Sequence, residues 1–309
     1  MSDKILITPR SITANGHPAL QKLRDEGYAT VFCKAGSQPS ESELIGLLPD
    51  CVGYLAGVEK ITARVIDAAR RLRVISRNGT GVENIDAAAC AVKNIRICRA
   101  AGANARGVAE LTMALMLALV RSVPFSDSKI KSGGWERRIG RELSGLTLGL
   151  VGCGKIGKIM AHLATAFDMN VLAHDQFPDT SFVLPNFRYA DFEAVIVSAD
   201  ILSLHCPPLE SGAPLLDRET IGRLKKGVYL INTARAELLD ENAALAAIES
   251  GRIAGLAVDV FAEEPPRDLR LLKHDRVIAT PHVGGFTTES VDRAVGVAVD
   301  NLLEALRKG

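Results

Sequence analysis

Four polar residues stand where apolar, β-branched runs of this chain finish. Arg235 follows Ile231-Asn232-Thr233-Ala234, Asp259 sits within Ala257-Val258-Asp259-Val260, Glu264 comes shortly after it, and His282 follows Ile278-Ala279-Thr280-Pro281. If those runs are strands of an open α/β sheet, their carboxyl ends border one ligand crevice and the four side chains converge on it. Histidine exchanges a proton near neutral pH, arginine presents a planar fork to a carboxylate, and glutamate tunes an adjacent imidazole. A base for a hydroxyl proton, a cation for a carboxylate and a tuning acid are the requirements of reversible hydride transfer at a 2-hydroxy acid.

Such a transfer needs a carrier, and a second motif offers a place for one. Gly152-Cys153-Gly154-Lys155-Ile156-Gly157 follows the apolar run Leu148-Gly149-Leu150-Val151 and opens a helical pattern at Ile159, Leu163, Ala166 and Phe167. Gly152 permits a tight turn, Gly154 lets the backbone approach a pyrophosphate, and Gly157 allows helix and strand to pack closely; free N–H groups at the helix start face the anion. Asp175 ends the next apolar run, 18 residues beyond Gly157, where a carboxylate accepts hydrogen bonds from an adenosine ribose. It would repel a 2′-phosphate, and Gln176 and Phe177 add no cation, so NAD is expected over NADP. An S-adenosylmethionine methyltransferase also uses a glycine turn and an acidic strand end, and the motif by itself leaves that alternative open.

The elements that must position these residues follow a rhythm of strand and helix. Ile5-Leu6-Ile7, Val31-Phe32, Val52 to Ala56, Val74-Ile75-Ser76 and Ile95 to Cys98 alternate with helical patterns at Leu20 to Leu23 and Leu44 to Leu48, which indicates βαβ units and a mostly parallel sheet. Small residues from Ala100 to Asn104 suit a hinge, and a long apolar helix follows from Val108 to Arg121. A second series runs from Leu148 through Val171 to His174, Ile201 to Leu204, Val228 to Ile231, Gly255 to Val260 and Val277 to Thr280. A last helix, Thr288 to Leu306, carries an apolar stripe at Val291, Ala294, Val295, Ala298, Leu302 and Leu306 and must pack on something, the first domain being available. Trp135, in Ser132-Gly133-Gly134-Trp135, reads as a packing anchor in preference to a substrate wall.

Composition limits the partners. Across 309 residues, 37 Lys and Arg balance 36 Asp and Glu, so no strong field invites nucleic acid or a membrane surface, and a small molecule is the expected partner. The most apolar segment, Val108 to Val120, carries Glu110 and falls short of the roughly 20 residues a bilayer requires. Met1 to Arg10 has no basic region leading into an apolar core, so a cytoplasmic location is expected. The six cysteines form no CxxC pair and the six histidines no HExxH, so neither disulfides nor a metal is expected.

Taken together, the motifs resemble those of the D-isomer-specific 2-hydroxyacid dehydrogenases, and within them the D-3-phosphoglycerate dehydrogenases that lack a regulatory domain. The resemblance covers nearly the whole chain. It rests on Asn78-Gly79-Thr80-Gly81-Val82-Glu83-Asn84-Ile85-Asp86, Val108-Ala109-Glu110, the glycine turn with Asp175, and Asn232-Thr233-Ala234-Arg235, and continues in Asp259-Val260-Phe261-Ala262-Glu263-Glu264-Pro265 and Pro281-His282-Val283-Gly284-Gly285. The spacings of 29 residues from Arg235 to Glu264 and 18 from Glu264 to His282 are similar to the family pattern.

The resemblance implies two doubly wound parallel-sheet α/β domains. A Rossmann NAD-binding domain, residues 101–283, would be inserted in a flavodoxin-like substrate domain made of residues 1–100 and 284–309, with the active site in the cleft between them and a homodimer joined through the cofactor domains. It also implies roles. His282 would take the hydroxyl proton, Glu264 would hydrogen-bond it and favour the imidazolium, and Arg235 would clamp the substrate carboxylate. Asp259 would accept from the nicotinamide amide, and the backbone at Asn78 and Gly79 would hold the carboxylate from the other domain. Thr80, His205, Cys206, Pro207, Thr233, Ala234, Gly284 and Gly285 would border the cofactor, with Cys206 no obvious nucleophile. Arg77 has two readings, a solvated strand end or a ligand for a substrate phosphate.

One departure bears on the substrate. Ala56-Gly57-Val58-Glu59-Lys60 lacks the arginine that some phosphoglycerate dehydrogenases place in the corresponding loop. D-3-phosphoglycerate is the first expected substrate, and glyoxylate, hydroxypyruvate or another short 2-keto acid is the alternative that this departure keeps open. The serine-binding regulatory domain of longer relatives is not expected. A non-catalytic NAD sensor that binds partner proteins is the remaining alternative.

Overall fold

The computed structural model describes residues 2–308. Two compact units divide the chain: one runs to Asn104 and resumes at Thr288, the other is the intervening Ala105–Thr287. Each division falls four residues beyond the boundary expected from sequence. At the first, Ala100 and Ala103 are buried in the first unit's core, so the expected hinge residues pack with that unit.

The first unit has five parallel strands, β1 (Lys4–Ile7), β2 (Ala29–Phe32), β3 (Cys51–Ala56), β4 (Val74–Arg77) and β5 (Arg96–Arg99), in the order β2-β1-β3-β4-β5. That is the flavodoxin-like order, with its switch point between β1 and β3. Every residue of β3 is buried, which is why it reads as a continuous apolar run instead of an alternating one. The terminal helix Thr288–Arg307 lies on β3, β4 and β5. Its stripe at Val295, Ala298 and Leu302 is fully buried, at roughly 1.5–3 kcal/mol for each large apolar side chain. Two details fix its seat. Ser76 donates to the carbonyl of Ala298 at 2.7 Å, and a Cβ on Gly53 would stand 3.3 Å from Leu302 and Leu306.

The second unit has seven parallel strands: β6 (Thr147–Val151), β7 (Asn170–His174), β8 (Phe187–Tyr189), β9 (Ile201–Leu204), β10 (Val228–Asn232), β11 (Ile253–Val258) and β12 (Val277–Ala279). Their order is β12-β11-β10-β9-β6-β7-β8, a Rossmann order extended by one edge strand, with its switch point between β6 and β9. The three-residue edge strand β8 has no separate sequence signal: Phe187 and Tyr189 alternate with an exposed Arg188 over too short a run to show a period. The long apolar helix is Ala105–Val120, buried along ten positions against β10, β11 and the helix Lys155–Ala166. No single described helix is long and apolar enough to cross a membrane.

Trp135 departs from expectation. It is 82% exposed, because Gly133, at φ 80°, turns the backbone out of the helix Val123–Lys131 into a stretch without helix or strand.

Candidate active site

The carboxyl edge of the seven-stranded sheet gathers most of the residues singled out above. The glycine turn leaves β6, Asp175 follows β7, His205 to Pro207 leave β9, the Arg235 loop leaves β10, Asp259 and Glu264 follow β11, and His282 follows β12. Arg77, Asn78, Gly79 and Thr80 belong to the other unit.

Each glycine of the turn has its own reason. Gly152 has φ 94°, and a Cβ there would stand 2.6 Å from the backbone of His205 and Cys206, so the ends of β6 and β9 touch at this residue. A Cβ on Gly157 would stand 2.3 Å from the carbonyl oxygen of Gly152. Gly154 differs: it has an ordinary φ of −74°, and a Cβ would meet nothing within 4 Å. It caps the helix Lys155–Ala166 with no side-chain hydrogen bond, so no side chain of this residue covers the start of that helix. Lys155 is exposed at the start of the helix, and Ile156 packs against the core. This is a cradle for a diphosphate: a helix N-terminus with a clear approach.

Asp175 ties the turn to β7. One carboxylate oxygen accepts from the Cys153 N–H at 2.6 Å and the other from the Phe177 N–H at 2.8 Å. Each oxygen keeps a further lone pair, so the carboxylate can still accept from ribose hydroxyls. The residues present therefore fit a dinucleotide. His205 bonds Ser203 through Nε2 at 2.9 Å, while its buried Nδ1 has no partner. Burial pulls its pKa down to about 4, so the ring is neutral at physiological pH. Cys206 is pushed up to about 11, first by burial, which leaves it a thiol and a poor nucleophile.

The arginine loop is built by Asn232, which is buried at the end of β10. Its amide donates to the carbonyl of Arg235 at 2.8 Å and its oxygen accepts from the Ala234 N–H at 3.1 Å, closing the turn that presents Arg235. Arg235 donates through Nη1 to the carbonyl of Ala234 at 2.7 Å. Thr233 faces inward, its hydroxyl 2.8 Å from that of Thr112, so only its backbone is left for the crevice.

Asp259 holds the histidine loop. It is 1% exposed; one oxygen accepts from the Thr280 hydroxyl at 2.6 Å and the Val283 N–H at 2.9 Å, the other from the Gly284 N–H at 2.8 Å. The loop needs such a grip, because His282 lies at φ 52°, a conformation costing a non-glycine residue about 1 kcal/mol. Its Nδ1 stands 2.8 Å from Glu264 Oε1, and both side chains are about half exposed. Gly284 backs onto Asp259, where a Cβ would sit 3.0 Å from the carboxylate. Gly285 follows it in the same loop.

In the five-stranded unit, the loop after β4 holds Asn78, Gly79 and Thr80. Thr80 donates to the side chain of Asn104 at 3.1 Å. Arg77 donates through Nη1 to the carbonyl of Asn78 at 2.6 Å, and its largely buried guanidinium passes so close to Gly79 that a Cβ there would be 2.7 Å from Nη1. The reading of Arg77 as a solvated strand end is thereby corrected: the side chain folds back over its own loop.

Three side chains near this loop carry no motif. Glu59 is 2% exposed, and its Oε1 accepts from the Tyr54 hydroxyl at 2.6 Å, the Gly57 N–H at 2.9 Å and the Thr8 hydroxyl. The sole trace in the sequence is an acid placed three residues after an apolar strand.

Residues 113–284 match the family description "D-isomer specific 2-hydroxyacid dehydrogenase, NAD binding domain". The chain is 38% identical over 281 residues to a human D-3-phosphoglycerate dehydrogenase, covering 89% of this chain and 52% of that protein. It is 39% identical over 264 residues to a hydroxypyruvate reductase of Thermotoga maritima, covering 83% of this chain and 85% of that one. Among solved structures, a glyoxylate reductase from Paecilomyes thermophila superposes with a TM-score of 0.87 at 26% identity, over 100% of this chain and 96% of that one. The chain spans about half the length of the phosphoglycerate dehydrogenases it matches.

Proposed function

Since the chain belongs to the D-isomer-specific 2-hydroxyacid dehydrogenase family, with an NAD-binding domain at residues 113–284, we propose that it transfers hydride between NAD and the C2 carbon of a small D-2-hydroxy acid. The observation that carries this reading is the 2.8 Å His282–Glu264 pair at the end of β12, on the sheet edge that also bears Arg235 and the glycine turn.

The cofactor would be held by the helix start at Gly154 and Lys155, by Asp175 at the ribose, and by the backbone of the loops at His205 to Pro207, Thr233 to Ala234 and Gly284 to Gly285. NAD bound there supplies the hydride acceptor, and its reduced form the donor. Glu264 engages Nδ1 of His282, which leaves Nε2 to take the C2 hydroxyl proton during oxidation and return it during reduction. Arg235 grips the substrate carboxylate through its fork and polarises the C2 oxygen. The Asn78 and Gly79 backbone and Thr80 would contribute from the substrate unit, which runs to Asn104 and resumes at Thr288.

Asp259 takes a different part from the one first expected. Its carboxylate is engaged by three donors of the His282 loop, so we assign it to positioning that loop, with any contact to a nicotinamide amide secondary.

Two substrate readings have support. Similarity to D-3-phosphoglycerate dehydrogenases favours the phosphorylated acid, and similarity to a hydroxypyruvate reductase and a glyoxylate reductase favours short unphosphorylated ones. We also propose a homodimer formed through the cofactor unit and a cytoplasmic location; six unpaired cysteines fit a reducing compartment. The test is nicotinamide absorbance with a panel of 2-hydroxy and 2-keto acids. Turnover that collapses in His282→Ala and Arg235→Ala supports the reading. Tight NADH binding without turnover of any acid would make the protein a sensor.

A further inference from the structure

We propose that Glu59 is a specificity-determining residue that turns the substrate unit against a phosphorylated acid, so that the chain works on an uncharged-tail 2-keto acid such as hydroxypyruvate. This rests on the functional reading above and sharpens it.

Thr8 follows β1, Tyr54 lies in β3, Glu59 follows β3, and Arg77 ends β4. These are three adjacent central strands, and their carboxyl ends border the switch point where an open α/β sheet takes a ligand. The carboxylate that occupies this position is 2% exposed and fixed by donors from three directions: the Tyr54 hydroxyl, the Thr8 hydroxyl and the Gly57 N–H. All three donors are uncharged, so they orient the group and leave its charge to act on Arg77. The backbone is shaped to hold it as well, since a Cβ on Gly57 would stand 2.6 Å from Glu59 Oε2.

Arg77 is the nearby cation that a substrate phosphate would need. Its guanidinium is turned onto the carbonyl of Asn78, and Glu59 and Glu83 are the strongest charges acting to keep it protonated against the cost of its burial. Its positive charge is thus already compensated within the unit. Lys60 is exposed, where water and salt screen it. A phosphate dianion arriving at this edge would find no uncompensated cation, since the arginine there is held by its own loop and its charge is already offset by Glu59. An uncharged hydroxymethyl tail or a bare aldehyde carbon needs no such cation and loses nothing by its absence.

The test uses a matched pair, hydroxypyruvate and 3-phosphohydroxypyruvate, each reduced with NADH by the full-length protein. For the native chain we expect kcat/KM at least 100-fold higher on hydroxypyruvate. In Glu59→Gln, which keeps an acceptor for Tyr54 and Thr8 but removes the charge, the ratio should narrow by at least tenfold. The change should appear as a lower KM for the phosphorylated acid. A residue with only a structural role would depress both substrates together and leave their ratio alone. Equal or better use of the phosphorylated acid by the native chain overturns the inference, with or without a folded variant, and leaves the dehydrogenase reading standing. An unchanged ratio in a folded Glu59→Gln protein also overturns it. Absence of turnover with any 2-keto acid overturns the functional reading, and this one with it.

Discussion

At the scale of single residues, the candidate chemistry was legible because it depends on side-chain type. His282, Glu264 and Arg235 are identifiable from strand ends and spacing, and the structure sets two of them 2.8 Å apart. What the sequence conceals is the second tier, where residues act by hydrogen-bonding a loop and any of several polar types would look alike in a string. Asn232 is the example. It lies inside a motif, yet nothing in the motif says that its amide spans Ala234 and Arg235. If Arg235 clamps the carboxylate, Asn232→Ala should raise KM about tenfold or more while leaving NAD affinity nearly unchanged, because the loop loses both anchoring bonds but the glycine turn is untouched. His282→Ala should instead act on kcat, by about 10²–10⁴-fold for loss of a general base. Steady-state kinetics for both variants, with NADH titrated by fluorescence, separate the two effects.

At the scale of elements, parallel strands buried on both faces announce themselves as apolar runs, so eleven of the twelve strands were foreseeable and the three-residue β8 was not. The glycine turn gives a sharp prediction from the space around each residue. Gly157→Ala drives a methyl group to 2.3 Å from the Gly152 carbonyl and should destabilise the fold by about 2 kcal/mol or more, in the range of core overpacking. Gly154→Ala meets open space and an ordinary φ, so melting should be nearly unaltered while NAD affinity falls tenfold or more, because the methyl group enters the diphosphate approach. Melting curves with and without NAD distinguish them; a Gly154→Ala protein that binds NAD normally would remove the cradle. The loop after β9 predicts a pH effect. His205 has a folded pKa of about 4, below the usual histidine value, so between about pH 6.5 and 4 the unfolded chain binds a proton that the folded one refuses. Stability contributed by the neutral ring is present above that window and is lost as pH falls through it, by up to about 3 kcal/mol. His205→Gln should keep a partner for Ser203 and show a smaller drop in urea midpoint between pH 7 and pH 5 than the native chain.

At the scale of the molecule, the sequence carried the alternation of strands and helices and the return of the terminal helix, but it misjudged Trp135. An aromatic residue is a sound core candidate only when its backbone leads inward, and a left-handed glycine two positions earlier is invisible in a hydropathy pattern. The exposed ring then becomes informative. Val123, Ile130, Trp135 and Ile139 are all strongly exposed along the helix Val123–Lys131 and the stretch after it, while Ala114, Leu117 and Ala118 on the long helix join Val123 and Ile130 in lining one apolar groove. Large exposed apolar residues concentrated on one arm of a chain mark a surface that associates. The proposed homodimer would cover them, and the long helix would contribute its outer face, since its inner face is already occupied by β10 and β11. Placing a charge at the centre of such an interface costs far more than placing one in water, so Trp135→Glu together with Ile139→Glu should convert a native dimer to monomer at micromolar concentration. Light scattering coupled to size exclusion reads the mass directly. A native protein that elutes as a monomer, or a dimer indifferent to both charges, would place the interface elsewhere and leave the arm exposed for another partner.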